Sequence, residues 1–188
     1  VAHSFPTRRS SDLVSRTFSV FQRAALTELN FLRTCPAEYA EQRLREDMRA
    51  GTDNGAYRDI LDRSPVGPLK LDRPLCTAAA EYAQLLAERD RWGHYADETP
   101  RERARRAGYH AYGGENVAAG SSSSLDADTD PIRAARVFIL RLTINEGVPS
   151  VSHRTNMLRD NYRVVGIGFA RFSGSTYTNY MVQDFGLR

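Results

Sequence analysis

The spacing of apolar residues changes near the end of this chain, and that change limits the fold more than any other feature. Up to about residue 145, apolar side chains recur at three- and four-residue intervals, as they do along one face of a helix. Phe18, Phe21, Ala25, Leu29 and Leu32 begin the pattern; they predict a helix to about Thr34, broken by Pro36. From Val164 the interval falls to two. Val165, Ile167 and Phe169 alternate with Val164, Gly166, Gly168 and Ala170, and after a turn at Ser173-Gly174-Ser175 a second alternating run covers 177–185. This predicts a hairpin. Gly166 and Gly168 share one face of its first strand, where they predict close approach of a bulky neighbour. Helices followed by a small antiparallel sheet imply an α+β layered domain rather than a parallel nucleotide-binding fold, and no phosphate-loop or dinucleotide fingerprint is present.

The remaining helices follow from caps and breakers. A second helix is expected over 38–50, a turn at 51–55, and a short helix near 57–62. Asp72 followed by Pro74 opens a helix to about Arg91, with Leu75, Ala79, Tyr82 and Leu86 on one face. Its Ala78-Ala79-Ala80 run offers small side chains for close helix packing. Thr99-Pro100-Arg101-Glu102 is a capping box, and Gly108 closes that short helix. Residues 119–130 are a low-complexity stretch, in which Ser121 to Ser124 and the Asp-rich segment after them read as an exposed loop. Asp130-Pro131 caps a helix with Ile132, Ala135, Ile139 and Leu142 as its buried stripe, ended by Gly147 and Pro149; Ser152 caps one further turn from His153 to Leu158.

Composition narrows the function classes. The chain has 188 residues with a formal charge of +3, from 26 basic and 23 acidic residues. That balance argues against nucleic acid, whose phosphates need a clustered basic face. The densest basic run, Arg101, Arg103, Arg105 and Arg106, is expected to be a solvated helix face. No apolar run is long enough for a membrane span. Cys35 and Cys76 make no zinc spacing; one disulfide or two separate thiols are both open. Residues 1–17 are expected to be a non-native or disordered leader, because the run 3–13 lacks periodicity and resembles translated adapter sequence. A missing signal peptide therefore says nothing about compartment. Residues 18–188 are expected to form a single domain.

Three short motifs carry the chemistry: Gly93-His94-Tyr95, Gly114-Glu115-Asn116-Val117-Ala118, and Ser152-His153-Arg154-Thr155-Asn156-Met157-Leu158. Two imidazoles and a carboxylate converging in one cleft would make part of a zinc or acid–base site. Each residue also has a plainer role open to it. Either histidine can cap or pack, and Glu115 can hold a loop by accepting backbone N–H groups. Asn116 is expected to be structural, Tyr95 to pack over the cleft, and His110 to lie on the surface. No serine stands in a nucleophile elbow.

The order of these motifs resembles the CAP superfamily, or SCP domain, which includes cysteine-rich secretory proteins, insect venom antigen 5 and class 1 plant pathogenesis-related proteins. Leu29-Asn30-Phe31-Leu32-Arg33, Pro68-Leu69-Lys70-Leu71, Val165-Gly166-Ile167-Gly168 and Tyr180-Met181-Val182-Gln183-Asp184-Phe185-Gly186 also match, so the likeness covers about residues 23–186. Gly147-Val148-Pro149-Ser150 resembles a bacterial branch. The resemblance implies a three-layer α/β/α sandwich with a small antiparallel sheet and a shallow cleft. In that cleft His94 and His153 would match the family's two histidines and Glu115 one of its two glutamates. Val137-Phe138-Ile139-Leu140-Arg141-Leu142 carries no acid for the second, and Glu146 is the nearest carboxylate. The implied metal ligands are therefore His94, His153 and Glu115, with Glu146 as a further candidate, and the implied cofactor is zinc. The implied location is secreted or cell-surface. Three readings follow: a binding module for a metal and a lipid, sterol or peptide; a zinc-dependent hydrolase using Glu115, His94 and His153; or a non-catalytic structural domain.

Overall fold

The computed structural model of the chain describes residues 17–145 and 152–187. Its helices are α1 (Val20–Thr34), α2 (Pro36–Tyr39), α3 (Arg45–Ala50), α4 (Ala56–Leu61), α5 (Arg73–Glu88), α6 (Pro100–Arg106), α7 (Pro131–Ile144) and α8 (Ser152–Met157). A wide π-helical turn, Ala40–Leu44, joins α2 to α3. The strands are β1 (Lys70–Leu71), β2 (Tyr112–Gly120), β3 (Val164–Arg171) and β4 (Asn179–Gly186). They form one sheet in the order β1-β3-β4-β2. The β2–β4 and β3–β4 pairs are antiparallel, while the two-residue β1 runs parallel to β3.

Alternation along the strands divides the core into two layers. Val165, Ile167, Met181 and Phe185 face α1 and α7 and meet Phe21, Leu29 and Phe138. Ala170, Tyr180, Val182 and Val117 face α5 and meet Ala79, Tyr82 and Leu86. The result is the expected helix–sheet–helix sandwich. The cap signals hold locally: Ser19 and Thr99 both close capping boxes, and Asp72 and Asp130 accept N–H bonds from Leu75 and Arg133. The α1 motif joins the β1 motif directly, because the Asn30 amide donates to Leu69 O at 3.0 Å and accepts from Leu69 N at 2.8 Å.

Several expectations change. Ile132 is 55% exposed, and Ala134 and Phe138 fill the buried stripe of α7 instead. The segment after Ser121 is not all exposed loop: a 3₁₀ turn, Ser123–Leu125, buries Leu125. The Glu115 motif is strand rather than loop, since its β4 pairing outweighs its glycines. The alanine run of α5 packs against β3, not another helix. Cys76 is buried and Cys35 exposed, and both are free thiols; burial pushes the Cys76 thiol up to about 11. Asn145, in left-handed backbone, caps the end of α7, whereas Gly147, Pro149 and Glu146 lie outside the described residues. No helix among the described residues is long and apolar enough to cross a membrane.

Candidate functional site

His94 sits on the loop between α5 and α6, held from below by α5. Tyr82 Oη donates to Gly93 O at 2.7 Å and accepts from Ala96 N at 3.2 Å. Glu115 lies on β2, on the face turned to α5, and its Oε1 is 2.8 Å from His94 Nδ1. A carboxylate there accepts the Nδ1 proton, so the neutral imidazole keeps its lone pair on Nε2. Its other oxygen, Oε2, accepts from Arg103 Nη2 at 2.6 Å.

Arg103 corrects the expectation of a solvated basic face. Arg101, Arg105 and Arg106 are exposed, but the Arg103 side chain is 1% exposed. Its guanidinium lies 3.3 Å from the centroid of the Tyr82 ring. It also donates to His94 O at 3.2 Å, to Asp97 at 3.1 Å and to Glu98 O. One buried arginine thus fixes both the loop that carries His94 and the carboxylate that orients it. Helical spacing alone holds the signal: Arg103 shares a face of α6 with buried Pro100 and Ala104, one residue on from solvent-facing Glu102.

Asp184 was also missed as a site residue. It pairs across strands with Glu115 and is fully buried. Burial first, and then the charge of Glu115, raise its pKa well above the ordinary aspartate value. A buried acid whose neutral form is favoured therefore adjoins the Glu115–Arg103 pair.

His153 reaches the same region from the opposite side of the sheet. Asn116, on the α7 face of β2, donates to His153 O at 3.2 Å and to Gln183 Oε1 at 3.0 Å. Asn156 donates to Glu115 O at 3.2 Å and Asn116 Oδ1 at 3.0 Å. Arg154 ties α8 back through Asp59 at 2.7 Å and Thr143 O at 2.8 Å. Most of the third motif is thus scaffold, with Asn116 structural as expected. His153 lines a cleft of about 370 Å³ with Trp92, Val117, Ala118, Phe138 and Tyr177. Tyr95 does not cover this cleft: it is 75% exposed, its ring edge toward His94. His110 is on the surface.

Burial, and second the charge of His94, lower the His153 pKa to about 4 from 6.5. The unfolded chain therefore binds this proton more readily than the folded one. Stability from this residue is complete above about pH 6.5 and is lost as pH falls toward about 4. Urea midpoints measured across that window should decline, and His153→Phe should flatten the decline. An unchanged slope in the variant would show that His153 is not the group responsible.

A family model described as "Cysteine-rich secretory protein family" matches residues 29–185. The chain belongs to the CAP family. The CAP motifs now have distinct jobs in it, since Asn30, Arg154 and Asn156 hold elements together, His153 lines the cleft and His94 is bonded to Glu115. No curated protein sequence matches the chain. Among solved structures it is similar to an extracellular protein containing an SCP domain from Bacillus anthracis, with a TM-score of 0.52, 14% identity, and coverage of 93% of this chain and 45% of that one. It therefore spans less than half the length of that protein. It is also similar to BmVAL-1, with a TM-score of 0.52, 17% identity, and coverage of 93% and 80%. An outer surface protein from Borrelia burgdorferi matches with a TM-score of 0.48, 21% identity, and coverage of 76% and 93%. The Bacillus anthracis and BmVAL-1 likenesses bear on the fold alone, and they agree with the CAP domain given by the family model.

Whether zinc fits depends on the donors left over. Both Glu115 oxygens are engaged by His94 and Arg103, and among the described residues no three His, Cys, Asp or Glu side chains form a metal-holding group. What remains is His94 Nε2 and the neutral ring of His153. That leaves two nitrogen donors, fewer than the protein ligands of a usual zinc site, with Glu115 as the partner of His94 rather than a third ligand. Glu146 lies outside the described residues.

Proposed function

We propose that this CAP domain is a binding module of a secreted or cell-surface protein. In this reading its cleft takes a divalent cation such as zinc at His94 and His153, and an organic ligand, a lipid, sterol or peptide, beside it. The observation that carries the reading is the His94–Glu115–Arg103 chain. It fixes one imidazole's tautomer and leaves its Nε2 available, the usual support for a metal-binding histidine. His153, whose burial keeps it neutral at pH 7, supplies a second lone pair. Bound zinc would supply Lewis-acid attraction for an anionic or carbonyl group; the protein contributes orientation through Glu115 and an apolar wall through Val117 and Phe138.

A zinc-dependent hydrolase on the same residues is less well supported. It needs a carboxylate available to take a proton, and Glu115 is committed to Arg103 and His94. The secretory description of the family and the extracellular Bacillus anthracis protein support the location. Calorimetric titration with zinc tests the reading. Weak, saturable binding near one equivalent is expected, lost in His94→Ala/His153→Ala with the fold intact. No binding by the unaltered protein would sink it.

A further inference from the structure

The end of α5 places a side chain where backbone sterics favour none. Arg91 N–H donates to Leu86 O at 2.9 Å and Asp90 N–H to Ala87 O at 3.4 Å, the paired bonds of a Schellman ending. Such an ending sets the residue after the cap in left-handed backbone, and glycine is its usual occupant. Here that residue is Asp90, with φ 48°. A side chain kept where glycine would be unstrained points to a use for it. The Asp90 carboxylate supplies one. One oxygen accepts from Thr176 N at 2.7 Å and the other from Thr176 Oγ1 at 2.8 Å. Thr176 lies on the turn between β3 and β4. It is held from the other side as well, where Ser121 Oγ donates to Thr176 O at 3.1 Å.

The two ends of this clamp carry an aromatic wall of the cleft. Trp92 follows Asp90 by two residues, and Tyr177 follows Thr176 directly. Their rings pack with centroids 5.7 Å apart, and both line the cleft together with Ser121 and His153. Phe138 and Leu142 also line it, and they are buried on α7, a helix seated in the core. Trp92 and Tyr177 stand instead on a loop and a turn, and they are 53% and 42% exposed. Tyr177 meets buried Tyr180 edge-on, with centroids 6.4 Å apart, so the turn rests on the core rather than within it. The bonds through Thr176 tie loop and turn to each other. The two from Asp90 are charge-assisted but exposed. Such bonds hold a loop in place, yet open far more readily than the core behind it. An exposed contact that fixes one wall of a cleft while the opposite wall is rigid has the form of a latch.

We infer that Asp90 is a positioning residue of the cleft: its bonds to Thr176 latch the Trp92–Tyr177 wall and limit passage to His153. The inference rests on reading the cleft as a binding site, and it adds what governs entry to that site. The probe is diethyl pyrocarbonate, a small reagent that acylates neutral imidazole, applied to the full chain at pH 7, where His153 is neutral. Peptide mapping tells the modified histidines apart. Asp90→Gly removes the latch and relieves the left-handed backbone, so the variant keeps its fold. Acylation of His153 should rise about threefold or more relative to surface-exposed His110. Trp92 is the chain's single tryptophan, and the amplitude of its nanosecond motion, read by time-resolved anisotropy, should about double. Buried Cys76, on the core side of α5, should react with a thiol reagent no faster than in the parent. Thr176→Val takes away the hydroxyl donor but leaves the amide, and should give a smaller rise at His153. In the Asp90→Gly background it should add nothing, because both residues act through one contact. A His153-to-His110 ratio that is unchanged or lower in Asp90→Gly would overturn the inference. So would Cys76 and His153 accelerating together, since the whole fold would then have loosened, and so would additive effects of the two substitutions. Absence of zinc binding beside a raised ratio would sink the metal reading and leave the latch standing; zinc binding beside an unchanged ratio would do the reverse.

Discussion

Replacing Arg103 with methionine should destabilise the protein by about 3–5 kcal/mol, the usual cost of stranding one member of a buried ion pair. The Arg103 and Glu115 side chains are 1% and 2% exposed and 2.6 Å apart. Without the guanidinium, Glu115 keeps only His94 Nδ1 as a partner and lies beside buried Asp184. The loop would loosen as well, because Arg103 also bonds His94 O, Asp97 and Glu98 O. Urea unfolding at neutral pH measures the loss. Arg103→Lys should recover only part of it, since a point charge cannot serve a carboxylate and several carbonyls at once. Arg103→Met/Glu115→Gln should be more stable than Arg103→Met alone, because the orphaned charge is gone. If Arg103→Met stayed within about 0.5 kcal/mol of the parent, as ordinary surface substitutions do, the pair would not be the keystone of the site. On the proposed metal-binding reading, zinc affinity should fall in the same variants through the misplaced His94.

Gly166→Ala and Gly168→Ala should each cost about 3 kcal/mol or more, at the upper end of overpacking effects. A Cβ on Gly166 would lie 2.1 Å from the backbone carbon of Leu75, and one on Gly168 2.2 Å from that of Ala79. Those atoms belong to the main chain of α5, so no side-chain rotation makes room; the helix must lift off the sheet. For a chain of this size about 3 kcal/mol corresponds to a fall of roughly 6–12 °C in Tm. Gly67→Ala is the control. A Cβ there meets nothing within 4 Å, and the change should be nearly neutral. Loss of stability in all three variants alike would count against close packing of α5 on β3 as the cause, because the unfolded-chain effect of Gly→Ala is by itself stabilising.

The α5–β3 contact also marks how far the sequence can be read alone. Two glycines on one strand face announced a close neighbour, and the alanine run of α5 announced a smooth helix. That these were the two halves of one contact required the fold. In the same way, period and cap residues located nearly every helix and the terminal hairpin, because those signals act over three or four residues. Ile132 was misplaced because helical spacing gives the width of the apolar stripe but not its edge.

His94, Glu115 and His153 were legible because short motifs surround them. Arg103 and Asp184 were not. Each has the local look of an ordinary surface charge or strand residue, and each acquires its role from a partner distant in sequence, Glu115 of β2. The walls of the cleft were likewise invisible, since they come from β2, α7, the loop after α5 and the β3–β4 turn. The sequence alone therefore located most of the helices, the terminal hairpin and the layered α+β class, and named His94, Glu115 and His153 as candidates. The tertiary structure decided which charges are buried together, which face of β2 each histidine approaches and where the cleft lies, because burial and strand pairing arise only when distant segments meet.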